Sequence, residues 1–182
     1  MVDSAYLDTY EHLLEDGLLK LCRGAGMLEG EVLGSPDLEA EWNGYIRDYT
    51  ADAVENFNSY PEAALSWAAF LGLGVAHNWD SDWGIYRDAP YSSYYGSRGW
   101  DDMDEHILRD VLRLPLDSPE ARKISDTLLS CALATLGLIR HEGIETQTEL
   151  GFYILTRSYT VLFRIGAAIE LKRLGYKNVR IR

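Results

Sequence analysis

Three residues able to bind a metal ion or a polar ligand, His77, Asp80 and Asp82, close an otherwise uncharged run beside Trp79 and Trp83. His77 and Asp80 are three apart, so on a helix they share a face and present an imidazole nitrogen and a carboxylate together. Asp82 and the acids at positions 101–104 could add oxygen ligands, which makes His77, Asp80 and Asp82 the candidate metal set. The competing reading is a hydrogen-bonded core histidine, because neither a His-Glu-x-x-His motif nor a Glu-x-x-His pair of the di-iron bundle type occurs. The other histidines read as surface residues: His106 paired with Asp102 one turn earlier, His12 near Glu15, and His141 near Glu145.

A second set of chemical groups lies near the C-terminus. Residues 150–169 contain no acid but include Arg157 and Arg164, seven apart and near one helical face. A guanidinium in an apolar run needs a partner, since stranding it costs several kcal/mol or more, an order-of-magnitude figure. Asp80, Asp82 and Asp126 are the expected partners, in a salt-bridge network joining the central and C-terminal helices. The alternative is bidentate capture of a ligand carboxylate or phosphate. Between the two sets, Trp79, Trp83, Tyr86, Tyr91, Tyr94, Tyr95 and Trp100 form the densest aromatic segment of the chain. Such side chains suit loop anchoring or a ligand rim. The candidate ligand-binding residues are therefore His77, Asp80, Trp83, Tyr94, Tyr95, Trp100, Arg157 and Arg164. No catalytic residue is named, because no serine or cysteine stands in a nucleophile elbow and no cofactor fingerprint occurs. The acids at positions 101–105 are accounted for by the dipole at a helix N-terminus.

The elements that position these groups read as helices throughout. Ser4 caps a first helix reaching about Arg23, with Leu7, Tyr10, Leu14, Leu18 and Leu21 on one face and Gly24 as its stop. Ser35-Pro36 opens a second, with Leu38, Trp42, Tyr45, Tyr49 and Val54 at helical spacing. Ser59-x-x-Glu62 reads as a capping box before a central helix that is apolar on every side and so belongs in the middle of a domain. Ala64, Ala68, Gly72 and Ala76 recur every four residues along it, a small-residue strip that admits another helix closely. Residues 86–99 lose the pattern, and a loop of that length is expected to cover something. Asp101 caps a short fourth helix that Pro115 halts, Ser118-Pro119 starts a fifth, and Thr146-x-x-Glu149 caps a sixth that reaches Leu174 and is the longest. Residues 176–182 form a basic alternating tail.

These signals predict an all-α, single-domain antiparallel bundle of about six helices, with a central apolar helix and a long aromatic loop. At 182 residues, with 47% hydrophobic content, one core is expected. The formal charge of −12 disfavours nucleic acid and anionic membrane as partners. The opening residues carry no basic and apolar leader pattern, so a cytoplasmic protein is the expectation, with Cys22 and Cys131 as reduced core thiols. The function these features favour is a non-catalytic helical domain that binds a protein or a small ligand, with no cofactor. Two alternatives are a divalent-metal-dependent enzyme using His77, Asp80 and Asp82, and a structural subunit of a larger assembly. Apolar helix surface also favours a symmetric homodimer.

Overall fold

Buried apolar positions recur at helical spacing along five long segments, and the computed structural model, which describes residues 2–177, folds each of them as an α-helix. The helices are α1 (Ser4–Gly24), α2 (Pro36–Phe57), α3 (Pro61–Tyr86), a short α4 (Met103–Glu105), α5 (Pro119–His141) and α6 (Glu149–Arg173). Helix α4 continues as a π-helical turn, His106–Val111. No strand occurs among the described residues, and none of their helices is long and apolar enough to cross a membrane. The tail expected at 176–182 lies outside the described residues from position 178 onward.

Local chemistry explains most helix ends. Ser35 accepts the Asp37 N–H and Ser118 accepts the Ala121 N–H, each with proline at the first helical position. Other caps differ from the expected ones. Asp3 rather than Ser4 caps α1, and Thr148 rather than Thr146 caps α6. At α3 the capping box does not form, because Tyr60 holds the N-cap position and Pro61 opens the helix without a side-chain cap. Asp101 lies inside a 3₁₀ turn, Trp100–Asp102, and caps nothing. Helix α3, with 26 residues, is longer than α6, with 25, because it runs on through His77 and Asp80 and bends at Asp82. There the Asp82 carboxylate accepts the Ile85 N–H at 3.3 Å and starts the last turn.

Two helices, not one, occupy the centre. Between Ala64 and Ala76 every α3 residue except Trp67 is buried, and α6 is buried almost as continuously from Ile154 to Leu171. Consecutive long helices alternate in direction, but α3 and α6 run in the same sense: Ala69 meets Gly166 and, further along, His77 meets Glu170. The small-residue strip makes this approach possible. A β-carbon on Gly72 would overlap the Phe163 carbonyl oxygen and stand 2.9 Å from Ala167 N. Helices α1, α2 and α5 then cover the α3–α6 pair. Tyr49 donates to the Ala64 carbonyl at 2.6 Å, and Trp42 stacks on Phe163 at 4.8 Å between centroids.

Cys22 on α1 and Cys131 on α5 are buried free thiols with sulfurs 3.6 Å apart. The bond from Cys22, together with burial, holds the Cys131 thiol well above the usual thiol range. Both groups are expected to resist a thiol-specific disulfide reagent in the native protein and to react fully on unfolding in urea. Rapid native labelling would show that the α1–α5 seam opens to solvent.

Candidate functional site

The polar end of α3 meets a carboxylate that the sequence analysis did not single out. Glu170 follows the acid-free stretch of α6 directly, and its side chain has no solvent exposure. His77 Nδ1 lies 2.7 Å from Glu170 Oε2, 93 residues away in sequence. Arg173, one turn further along α6, donates from Nε to Oε1 at 2.6 Å and from Nη2 to Oε2 at 2.8 Å, and also reaches Glu120 on α5. The Glu170 bond raises the Arg173 guanidinium above its ordinary value. With Nδ1 engaged by Glu170, Nε2 of His77 is left for other partners.

Across the same cleft His106 repeats the arrangement, with Nδ1 3.0 Å from Asp110 Oδ2. The expected partner, Asp102, is instead buried beneath Arg98, whose guanidinium holds the Asp102 carboxyl below the usual range. The π-helical turn brings His106 and Asp110 together at the cleft, and such turns recur at functional sites. Arg109 donates to Asp110 and, as the larger of its two side-chain partners, holds that carboxyl below its ordinary range.

The cleft has a volume of about 360 Å³ and is lined by His77, Asn78 and Ser81 of α3, Tyr94 of the connecting segment, and His106 and Arg113 from the π-turn and its exit, among others. Both imidazoles are about one-quarter exposed, so each is held by its carboxylate yet reachable from solution. Tyr94 is 1% exposed, and its hydroxyl accepts from Asn78 at 3.1 Å. Burial pushes that hydroxyl up to about 12, against the Asn78 bond, so it stays protonated, and nothing among the described residues accepts its hydrogen.

The aromatic segment serves as core as well as wall. Tyr91, Tyr94 and Trp100 are buried, and Tyr91–Tyr94 is a 3₁₀ turn packed on Tyr45 and Tyr49. Tyr91 and Tyr95 both donate to Asp52 on α2. Of the two uses expected for these side chains, anchoring the segment is the one that Tyr91, Tyr94 and Trp100 serve by their burial. Tyr94→Ala should cost about 3 kcal/mol, the scale for removing a buried aromatic ring. Tyr94→Phe, which keeps the ring, should cost much less. Equal urea midpoints for Tyr94→Ala and wild type would refute this packing role.

Of the residues singled out by sequence, the structure gathers His77 and Tyr94 at this cleft. Asp80 is exposed and accepts from the Tyr176 hydroxyl at 2.6 Å, and Asp82 caps the last turn of α3, so His77, Asp80 and Asp82 do not converge. Among the described residues no three His, Cys, Asp or Glu side chains are placed to hold a metal ion. Arg157 and Arg164 lie elsewhere, paired with acids of α1 and α2 rather than with Asp80, Asp82 or Asp126. Arg157 reaches Asp8 and Glu11, and Arg164 reaches Glu11, Glu15 and Glu39. Trp83 is half-buried against the core, Tyr95 is committed to Asp52, and the Trp100 carbonyl accepts from the Trp67 indole at 2.8 Å. His12 bonds the Asp8 carbonyl and His141 approaches Glu142, not the acids expected. Glu170, Arg113 and the role of His106 were missed. A lone acid inside Ala-Ala-Ile-Glu-Leu, three residues before an arginine, was the available signal for Glu170.

Fold and site together define an all-α protein with a polar cleft beside two parallel central helices. Compared with protein-family models, curated proteins and solved structures, the chain matches none.

Proposed function

We propose that this protein binds a small polar molecule in the cleft between α3 and the segment that runs from Tyr86 to Arg113, and that it is a binding domain rather than a catalyst. The observation that carries the reading is the pair of imidazoles, His77 and His106, each tied through Nδ1 to a carboxylate and each lining the same cleft. Fixing a ring in this way pre-organises a hydrogen-bonding nitrogen before any ligand arrives, which lowers the ordering cost of binding. A few convergent polar groups above an apolar wall are the usual form of a small-molecule site, and the cleft is at the lower end of the usual size range. Binding rather than turnover is favoured because neither imidazole is hydrogen-bonded to a serine, threonine or cysteine nucleophile among the described residues.

The test is a thermal-shift screen of a metabolite library against the wild type and against His106→Ala and Tyr94→Phe. A ligand present at about a hundred times its Kd stabilises the native state by about 2.7 kcal/mol. Hits should raise the wild-type melting temperature, and both variants should lose that gain while melting near the wild type without ligand. A library without hits, or hits that survive in both variants, would reject the cleft as the site.

A further inference from the structure

We infer that the ligand carries a small oxyanion group, a carboxylate or a phosphate, and that Arg113 anchors it; this rests on the cleft being the binding site. The first observation concerns the backbone. The π-turn ends with the Leu112 N–H on the Ile107 carbonyl and the Leu114 N–H on the Leu108 carbonyl, both 2.9 Å, and the residue between them is forced into the left-handed region. Helix ends of this kind normally place glycine there, since a β-carbon is strained at positive φ. Arg113, at φ 62°, is the one non-glycine residue with positive φ among the described residues. A residue held against its conformational preference points to a use for its side chain.

The second observation is charge. Two nearby cations are already held by acids: Arg173 by Glu170 and Glu120, and Arg109 by Asp110. Arg113 lines the cleft and makes no ion pair or hydrogen bond among the described residues. The one carboxylate lining the cleft, Asp110, is already held by Arg109 and His106. On a chain of net charge −12, an exposed, unpaired arginine on the wall of a cleft without a free carboxylate marks a place that favours an anion.

The third observation is the set of donors. A guanidinium presents paired N–H groups that match two oxygens of a carboxylate or phosphate. The unaccepted Tyr94 O–H adds a neutral donor. His77 and His106 add Nε2, which accepts a proton from a protonated ligand oxygen or, once charged, donates to an anionic one. Carboxylate and phosphate share this chemistry.

The experiment titrates the full-length protein with inorganic phosphate and, separately, with succinate, following the imidazole Cε1–H resonances by NMR and the melting temperature by calorimetry. Saturable shifts of the His77 and His106 signals with either probe are expected, and the probe that binds more tightly identifies the oxyanion. Arg113→Gly should keep or raise the melting temperature of the free protein, because glycine relieves the left-handed strain, yet weaken probe binding roughly ten-fold or more. Arg113→Lys should recover part of the binding. The inference is overturned if neither probe shifts either imidazole, or if Arg113→Gly binds as the wild type does. A neutral hit from the metabolite screen that needs His106 and Tyr94 but is indifferent to Arg113 would also overturn it, while leaving the cleft as the site.

Discussion

Gly166→Ala is expected to cost about 3 kcal/mol or more and to leave little soluble protein, because the added methyl has nowhere to go. On α6 a β-carbon at this position would overlap the Ala69 carbonyl oxygen and stand 2.9 Å from Ala69 Cα. Backbone cannot yield by changing rotamer, so the whole α3–α6 pair would have to separate, loosening side chains along both buried helices. Gly72→Ala on α3 meets the Phe163 carbonyl in the same way and should behave alike. Gly137→Ala on the exposed side of α5 is the control, since nothing lies within 4 Å of its β-carbon position. Helix propensity alone should then make Gly137→Ala more stable, by about 0.5–1 kcal/mol. Urea denaturation of the three variants measures the contrast. Comparable destabilisation in all three, or none in Gly166→Ala, would contradict the close crossing.

Glu170→Ala should produce the second large loss, about 3 kcal/mol, the scale for breaking a buried ion pair from one side. Its carboxylate takes three bonds, two from Arg173 and one from His77, and has no exposure through which water could replace it. Arg173 keeps Glu120 at 3.2 Å, so the stranded cation is only partly uncompensated, which argues against a larger figure. For a chain of this length the change corresponds to a fall of roughly 10 °C in melting temperature. Asp80→Ala supplies the comparison. Its exposed bond to Tyr176 should contribute about 0.5 kcal/mol or less, although its spacing from His77 made it the acid expected on the histidine's helical face. If Asp80→Ala proved the more damaging of the two, the assignment of Glu170 as the histidine's partner would fail.

Glu170 shows why the site was harder to read than the fold. Its burial depends on which face of α6 meets α3, and no local pattern records that. The need for partners around Arg157 and Arg164 was legible, because the cost of stranding a guanidinium does not depend on topology. The partners themselves were not, since Glu11 and Glu39 reach α6 only after α1 and α2 have docked beside it. His106 was assigned to Asp102 because four residues make one α-helical turn, but Arg98 claims Asp102 and the π-turn offers Asp110 instead.

What the sequence determined by itself was local or statistical in its physics. Apolar residues recurring at 3.6 positions specify helices, Ser-Pro pairs start two of them, and a run of alanine and glycine marks where one helix admits another. These signals need only neighbours within a turn or two, and they sufficed for an all-α bundle with α3 at its centre. The tertiary structure alone decided that α6 shares that centre in parallel, that Tyr91 and Tyr94 are core, and that His77, His106, Tyr94 and Arg113 line one cleft. Those outcomes join residues tens of positions apart, and their energies arise only once helices have packed and water has been excluded between them.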